Sequence, residues 1–207
     1  MEVKINVPKE NAGTQIIDMK ENGKLTFLHN PRTGGSSLNA WAYNNKKPEW
    51  DSYKFEVHHT LDRIQSLYVN GELFDLGKRV TIVRHPYMRM LSFWSFINRH
   101  NFDKPLPFAA WWRGNRHQII TMRSRPQSMW WKGCDIILRH EDLNNEVATK
   151  VAPLMQTTNG LEGYRYNHYG IDRSPVDVHE IIPKDILAEI RELDKETFDE
   201  FGYGEYD

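Results

Sequence analysis

A chain of 207 residues is long enough to bury a sizeable core, and 39% hydrophobic with 27% charged residues is the balance of an ordinary globular protein. Lys and Arg (27) nearly match Asp and Glu (28), for a formal net charge of −1, which argues against a chain whose main task is gripping nucleic acid backbone. The single cysteine, Cys134, excludes an intramolecular disulfide and a cysteine-rich metal site and fits a reducing compartment.

In chain order, Met1 to Ile17 is polar and mixed in charge, without the apolar core of a signal peptide, and no run nears the roughly 20 apolar residues that span a bilayer. A cytoplasmic location with no membrane partner is the expectation. Lys24 to His29 (KLTFLH) predicts a strand, followed by a Gly-containing turn and a helix over Ser36 to Tyr43, where Leu38, Trp41 and Ala42 fall at helical spacing. Tyr53 to Val57 is a further candidate strand. A second strand–turn–helix unit runs from Arg79–Val83 through Arg84-His85-Pro86 to a helix over Tyr87–Asn98. Pro86 suits the first helical position, where its missing N–H is no loss. Asn101 to Trp131, rich in Trp and Arg, reads as irregular. Asp135–Leu138 predicts another strand, with a helix after Glu141-Asp142-Leu143. Pro183 to Phe201 reads as one amphipathic terminal helix with Ile186, Leu187, Ile190 and Leu193 on one face. With no repeat or linker, one domain over residues 1–207 is expected. Strands alternating with helices predict an α/β fold whose central parallel sheet is covered on both faces. Ligands of such sheets sit beyond the carboxyl ends of the strands, where both turns lie.

Pro31-Arg32-Thr33-Gly34-Gly35-Ser36-Ser37-Leu38 carries the first chemistry. Adjacent glycines at a strand-to-helix turn let backbone N–H groups approach an anion, and the helix N-terminus favours a phosphate. Ser36 and Ser37 add hydroxyls and Arg32 a fixed charge. The segment lacks the leading glycine and the Gly-Lys-Ser/Thr ending of a Walker A loop. The plain alternative is a tight turn with Ser36 as helix N-cap. The second segment, Val83-Arg84-His85-Pro86-Tyr87-Met88-Arg89-Met90-Leu91-Ser92, sets an arginine at a strand end and a serine two helical turns later. Taken singly, Arg84 in a surface salt bridge and Ser92 as a plain helix residue are the ordinary readings.

Together the two segments resemble the paired signature of sulfotransferases that use 3′-phosphoadenosine 5′-phosphosulfate (PAPS). That signature is Pro-Lys-Thr-Gly-Gly-Thr-Ser after a first strand and Arg-Asp-Pro-x-x-Arg-x-x-Ser after a later one. The chain is similar to the branch with the carbohydrate sulfotransferases, such as the glycosaminoglycan 2-O-sulfotransferases. Arg139-His140-Glu141-Asp142-Leu143 and Asp194–Tyr203 (DKETFDEFGY) resemble further family segments of structural character. The resemblance implies a three-layer, P-loop-like fold and PAPS as co-substrate without a metal. By it, Arg32, Thr33, Gly34, Gly35, Ser36, Ser37 and Leu38 cradle the 5′-phosphosulfate, and Arg84 and Ser92 hold the 3′-phosphate. Arg173 and Ser174, in Asn167–Ser174, fall where the family has a basic loop closing over the nucleotide. Two positions depart from the pattern: Arg32 stands for the usual lysine and His85 for the usual Asp or Asn. Arginine neutralises a leaving phosphate but cannot lend a proton.

Sulfuryl transfer also needs a base for the acceptor hydroxyl. His58 or His59, after the candidate strand at Tyr53–Val57, lies where the 2-O branch supplies a histidine. Adjacent strand residues point to opposite faces, so spacing does not choose between them; Glu56 is held in reserve. A metal reading of this pair fails because no carboxylate or cysteine partner stands at ligand spacing. Arg113, Arg116, Arg123 and Arg125 form either a site for an anionic acceptor or a solvated basic face. Trp111-Trp112 and Trp130-Trp131 either stack on sugar or adenine or pack a core. The acceptor implied is a small molecule or carbohydrate. Two other readings stay open: a small ATP-dependent kinase, which normally uses a loop lysine and magnesium, and a non-catalytic module for a nucleotide or sulfated glycan.

Overall fold

The computed structural model describes residues 13–54, 60–61, 68–69, 72–73, 75–101, 106–118, 125–164 and 177–204. In chain order the elements begin β1 (Gln15–Asp18), β2 (Lys24–Leu28), α1 (Gly35–Asn45), β3 (Asp51–Lys54), β4 (Tyr68–Val69), β5 (Glu72–Leu73) and β6 (Lys78–Val83). They continue α2 (Pro86–Asn101), α3 (Phe108–Gln118), α4 (Ser128–Trp131), β7 (Ile136–Arg139) and α5 (Leu143–Glu146), which runs into a π-helical turn at Val147–Val151. The last are α6 (Val178–Ile181), α7 (Lys184–Leu193) and α8 (Lys195–Phe201). They divide into two compact units, Met1–Val83 with Met129–Tyr166, and Arg84–Ser128 with Asn167–Asp207.

The first unit is α/β. Its five-stranded sheet has the order β3-β1-β2-β6-β7, with β4 and β5 paired separately. β2, β6 and β7 run parallel, as strands joined through helices do, whereas β1 is antiparallel to both β2 and β3. The sheet is therefore mixed, which corrects the expectation of a parallel one. The source is β1, four residues (QIID) joined to β2 by a tight turn in which the Met19 N–H donates to the Gly23 carbonyl at 2.8 Å. The strand expected at Tyr53–Val57 is present over its described residues, Tyr53 and Lys54, and starts two residues earlier. The strand there is Asp51–Lys54, and residues 55–59 lie outside the described residues.

Alternation along the strands explains the layering. Ile17, Leu25, Phe27, Val80 and Ile82 face one core with Leu38 and Trp41 of α1 and Leu143 and Val147 after β7. Ile16 and Leu28 face the other way, with Leu61 and Leu76. Buried threonines on the strands are satisfied by carbonyls: Thr26 Oγ1 donates to Leu76 O at 2.5 Å and Thr81 Oγ1 to Leu28 O at 3.1 Å. Trp41, fully buried, donates its indole N–H to the Asn159 carbonyl at 2.9 Å.

The second unit is helical in its described residues. Tyr87, Met90 and Phe93 of α2 pack with Phe108, Trp111 and Trp112 of α3, Ile186 and Ile190 of α7 and Phe198 of α8. The middle segment expected to be irregular thus contains α3 and α4. Phe108, Trp111 and Trp112 stand at i, i+3 and i+4 and form one buried helix face, a short pattern followed directly by the polar run Arg113–Gln118. The single terminal helix is also corrected. It breaks into α7 and α8 at Asp194 (φ −111°, ψ 23°), whose carboxylate turns into the core. Among the described residues no helix is long and apolar enough to cross a membrane.

Candidate functional site

The turn after β2 is built around an alternation of backbone sign. φ is positive at Arg32 (67°) and at Gly34 (98°), but not at Pro31, Thr33 or Gly35 between and beside them. Glycine takes the left-handed region freely; at Arg32 the same conformation is a local strain. Such alternation turns successive N–H groups toward one concave side, the arrangement that binds anions. Gly34 is the N-cap of α1, and its carbonyl accepts from the N–H groups of Ser37 (3.0 Å) and Leu38 (3.2 Å). Ser36 is therefore not the cap; it is the second residue of the helix, and no side chain caps α1. By helix geometry the N–H groups of Gly35 and Ser36 have no intrahelical acceptor and add their dipoles to the same end.

Three contacts hold the turn. Asn30 donates through Nδ2 to the Ile82 carbonyl at 2.9 Å, tying it to the end of β6. Thr33, fully buried, donates through Oγ1 to the Asn30 carbonyl at 2.8 Å and closes the loop on itself. The glycines admit two imidazoles. An added Cβ on Gly35 would lie 2.5 Å from His29 Cδ2, and one on Gly34 would lie 3.1 Å from Leu143 Cδ2 and 3.3 Å from His140 Cδ2. The segment Arg139–Leu143, expected to be structural, is thus what packs against the turn after β2, through His140 and Leu143. His29 and His140 are neighbours that sequence reasoning did not single out. The signal available was their position, each directly after a parallel strand.

β2 and β6 run in parallel with Leu28 level with Thr81, so the turn after β2 and the carboxyl end of β6 lie at one edge of the sheet. Lys54, the last residue of β3, is level through β1 with Phe27, so β3 ends toward that edge as well. His58, His59 and Glu56, beyond it, lie outside the described residues, as do Arg173 and Ser174.

In the second unit, Arg84 is half-buried, and its backbone is gripped at both polar groups. Its N–H donates to Gln127 Oε1 at 3.0 Å, and Gln127 Nε2 donates to its carbonyl at 2.8 Å. Ser92 is buried on α2. Arg89, the other arginine of this motif, is 1% exposed and pairs through Nη1 with Asp194 Oδ2 at 3.4 Å. Burial presses the Arg89 guanidinium down from its ordinary pKa and the Asp194 carboxyl up from its own, each opposed by the partner's charge. Arg89 is a framework cation. His85 sits among Tyr87, Phe198 and Tyr203 at ring-centroid distances of 5.3, 5.5 and 5.0 Å, with Nε2 3.0 Å from the Gly204 carbonyl. From the terminal segment, Phe198, Tyr203 and Gly204 are what pack on it.

The chain matches no family model, no curated protein and no solved structure.

Of the basic stretch, Arg113 is exposed and pairs with Asp185 at 2.9 Å, while the Arg125 carbonyl accepts from Arg89 Nη1 at 3.2 Å. The side chains of Arg116 and Arg123 lie outside the described residues. Trp111, Trp112, Trp130 and Trp131 are all buried, and Trp112 donates to Glu189 Oε2 at 2.9 Å. Trp111 and Trp112 pack in the helical core of the second unit. Among the described residues no group of three His, Cys, Asp or Glu side chains is placed to hold a metal ion.

Proposed function

We propose that the chain is a PAPS-dependent O-sulfotransferase built on a P-loop-like fold. The observation that carries this reading is the turn after β2: φ alternates in sign from Pro31 to Gly35 and leads directly into an 11-residue helix. That is a cradle for an anion, in a sequence that resembles the PAPS signature. In this reading Arg32, Thr33, Gly34, Gly35, Ser36, Ser37 and Leu38 take the 5′-phosphosulfate, and Arg84 and Ser92 take the 3′-phosphate. Arg173 and Ser174 close over the nucleotide.

The acceptor oxygen attacks sulfur in line, the new O–S bond forms as the bridging S–O bond breaks, and the electron pair leaves on the 5′-phosphate of 3′-phosphoadenosine 5′-phosphate (PAP). Arg32 and the amides of the turn stabilise that developing charge. The acceptor proton passes to His58 or His59, with Glu56 in reserve. The acceptor class is a carbohydrate hydroxyl.

The test is transfer of labelled sulfate from PAPS to a panel of acidic and neutral oligosaccharides. Wild type transfers label without added metal. His58→Ala or His59→Ala lowers turnover about a hundredfold or more while leaving PAP affinity unchanged, the usual weight of a general base. Full turnover in both variants removes the histidine base. Binding of PAP with no transfer to any acceptor favours the non-catalytic module.

A further inference from the structure

Arg84 is the first residue beyond β6, where the hydrogen-bond ladder of the sheet ends. A residue there has no strand neighbour to fix its backbone, and an arginine side chain on a loose backbone is a poor anion ligand. Gln127 supplies what the ladder does not. Its side-chain amide meets both backbone groups of Arg84, accepting at 3.0 Å and donating at 2.8 Å, and Gln127 itself is fully buried.

The clamp is in turn held from behind. The Gln127 backbone N–H donates to Asp194 Oδ1 at 2.6 Å, and Thr197 Oγ1 donates to the same oxygen at 3.2 Å. Asp194, at the corner between α7 and α8, is anchored by Arg89 of α2, which also reaches the Arg125 carbonyl at 3.2 Å. A buried ion pair thus fixes the segment 125–127, and that segment fixes Arg84. All these residues belong to one compact unit.

We propose that Gln127 is the positioning residue for Arg84, setting the backbone from which its guanidinium reaches the 3′-phosphate of the nucleotide. This rests on the sulfotransferase reading of Arg84. Gln127 touches no ligand in the proposal; it acts through Arg84, and Asp194 and Arg89 act through Gln127.

PAP and AMP differ only in the 3′-phosphate, so the ratio of their affinities isolates the effect. Gln127→Glu keeps the acceptor for the Arg84 N–H and loses the donor to its carbonyl; Gln127→Met keeps the chain length and loses both. Calorimetry on wild type, these two variants, Arg84→Ala and the double variants, with thermal melts beside it, gives the result. The expected outcome is a PAP/AMP preference reduced about tenfold in Gln127→Glu and further in Gln127→Met, with AMP affinity retained, as for other groups that orient a ligand residue. In the Arg84→Ala background neither change has a further effect.

An unchanged ratio in folded Gln127 variants, with Arg84→Ala lowering it, overturns the positioning role and leaves the reading of Arg84 intact. Equal loss of PAP and AMP makes Gln127 merely structural. A wild type without preference for PAP overturns the reading of Arg84 itself, and the role of Gln127 with it. Amide exchange in wild type holds the proposal open to refutation if the variants do not fold. The Arg84 N–H exchanges as slowly as the core of α2, whereas exchange at the rate of an open loop removes the clamp.

Discussion

Replacing Gly35 by alanine sets a methyl group against a ring that has nowhere to go. The new Cβ would stand 2.5 Å from His29 Cδ2 and 3.0 Å from both Cγ and Nε2, and His29 is only 5% exposed. Gly35 has no positive φ, so the backbone itself accepts alanine, and helix propensity favours it by at most about 1 kcal/mol. Overpacking a closed site costs about 1–3 kcal/mol, so the steric term wins and Gly35→Ala loses roughly 1–2 kcal/mol. Urea unfolding followed by circular dichroism reads this as a lower midpoint at unchanged slope. In a His29→Ala background the clash is gone, and the same glycine replacement becomes neutral or slightly stabilising. The change of sign is the diagnostic. An equal loss in both backgrounds, or no loss in the wild-type one, would refute the packing of His29 on the turn.

Asp194→Asn leaves the Arg89 guanidinium, 1% exposed, without its counter-charge and costs about 3–5 kcal/mol in urea unfolding; a loss under about 1 kcal/mol contradicts the buried pair. Replacing both partners by apolar residues, Arg89→Met with Asp194→Leu, recovers much of that loss in the same assay. Asp135→Asn removes a fork from Arg79, whose Nε and Nη2 donate at 2.9 and 3.2 Å. Because the Asp135 side chain is 40% exposed and screened by solvent, the expected loss is only about 0.5–1 kcal/mol. Hydrogen bonding to Arg79 holds the Asp135 carboxyl below its ordinary pKa, so its contribution is full above the unfolded value and is lost as pH falls through the folded one. The stability gap between wild type and variant is therefore steady above about pH 4 and shrinks below it; a gap that grows in acid contradicts the pairing.

Where a local signal and the fold agreed, the sequence was readable. The strands at Lys24–Leu28 and Lys78–Val83 are apolar runs ended by Pro- or Gly-containing turns, and Pro86 begins α2 as its chemistry requires. β1 was not readable. Its four residues carry no alternation, and it is a strand because β2 and β3 flank it on both sides, with Ile16 and Ile17 filling opposite cores. The alternative of Ser36 as N-cap of α1 fails by two residues, since Ser36 is the better cap by composition but Gly34, with its left-handed φ of 98°, is where the turn passes into the helix. The residues behind Arg84 carried no signal. Gln127 is 43 positions away and Asp194 a further 67, and only tertiary structure brings them together. The one trace was Arg89, an arginine on the buried side of a helix, which implies a carboxylate partner without naming it.

In the proposed function, the turn at Pro31–Leu38 and the arginine after β6 serve PAPS. This is tested most directly by calorimetric titration of wild type with PAP, beside ATP and AMP, in the absence of metal. The expected result is saturable binding of PAP well above that of ATP or AMP, and a marked loss on Arg84→Ala. No binding of PAP, or a preference for ATP that appears only with magnesium, contradicts it and moves the chain to the kinase reading.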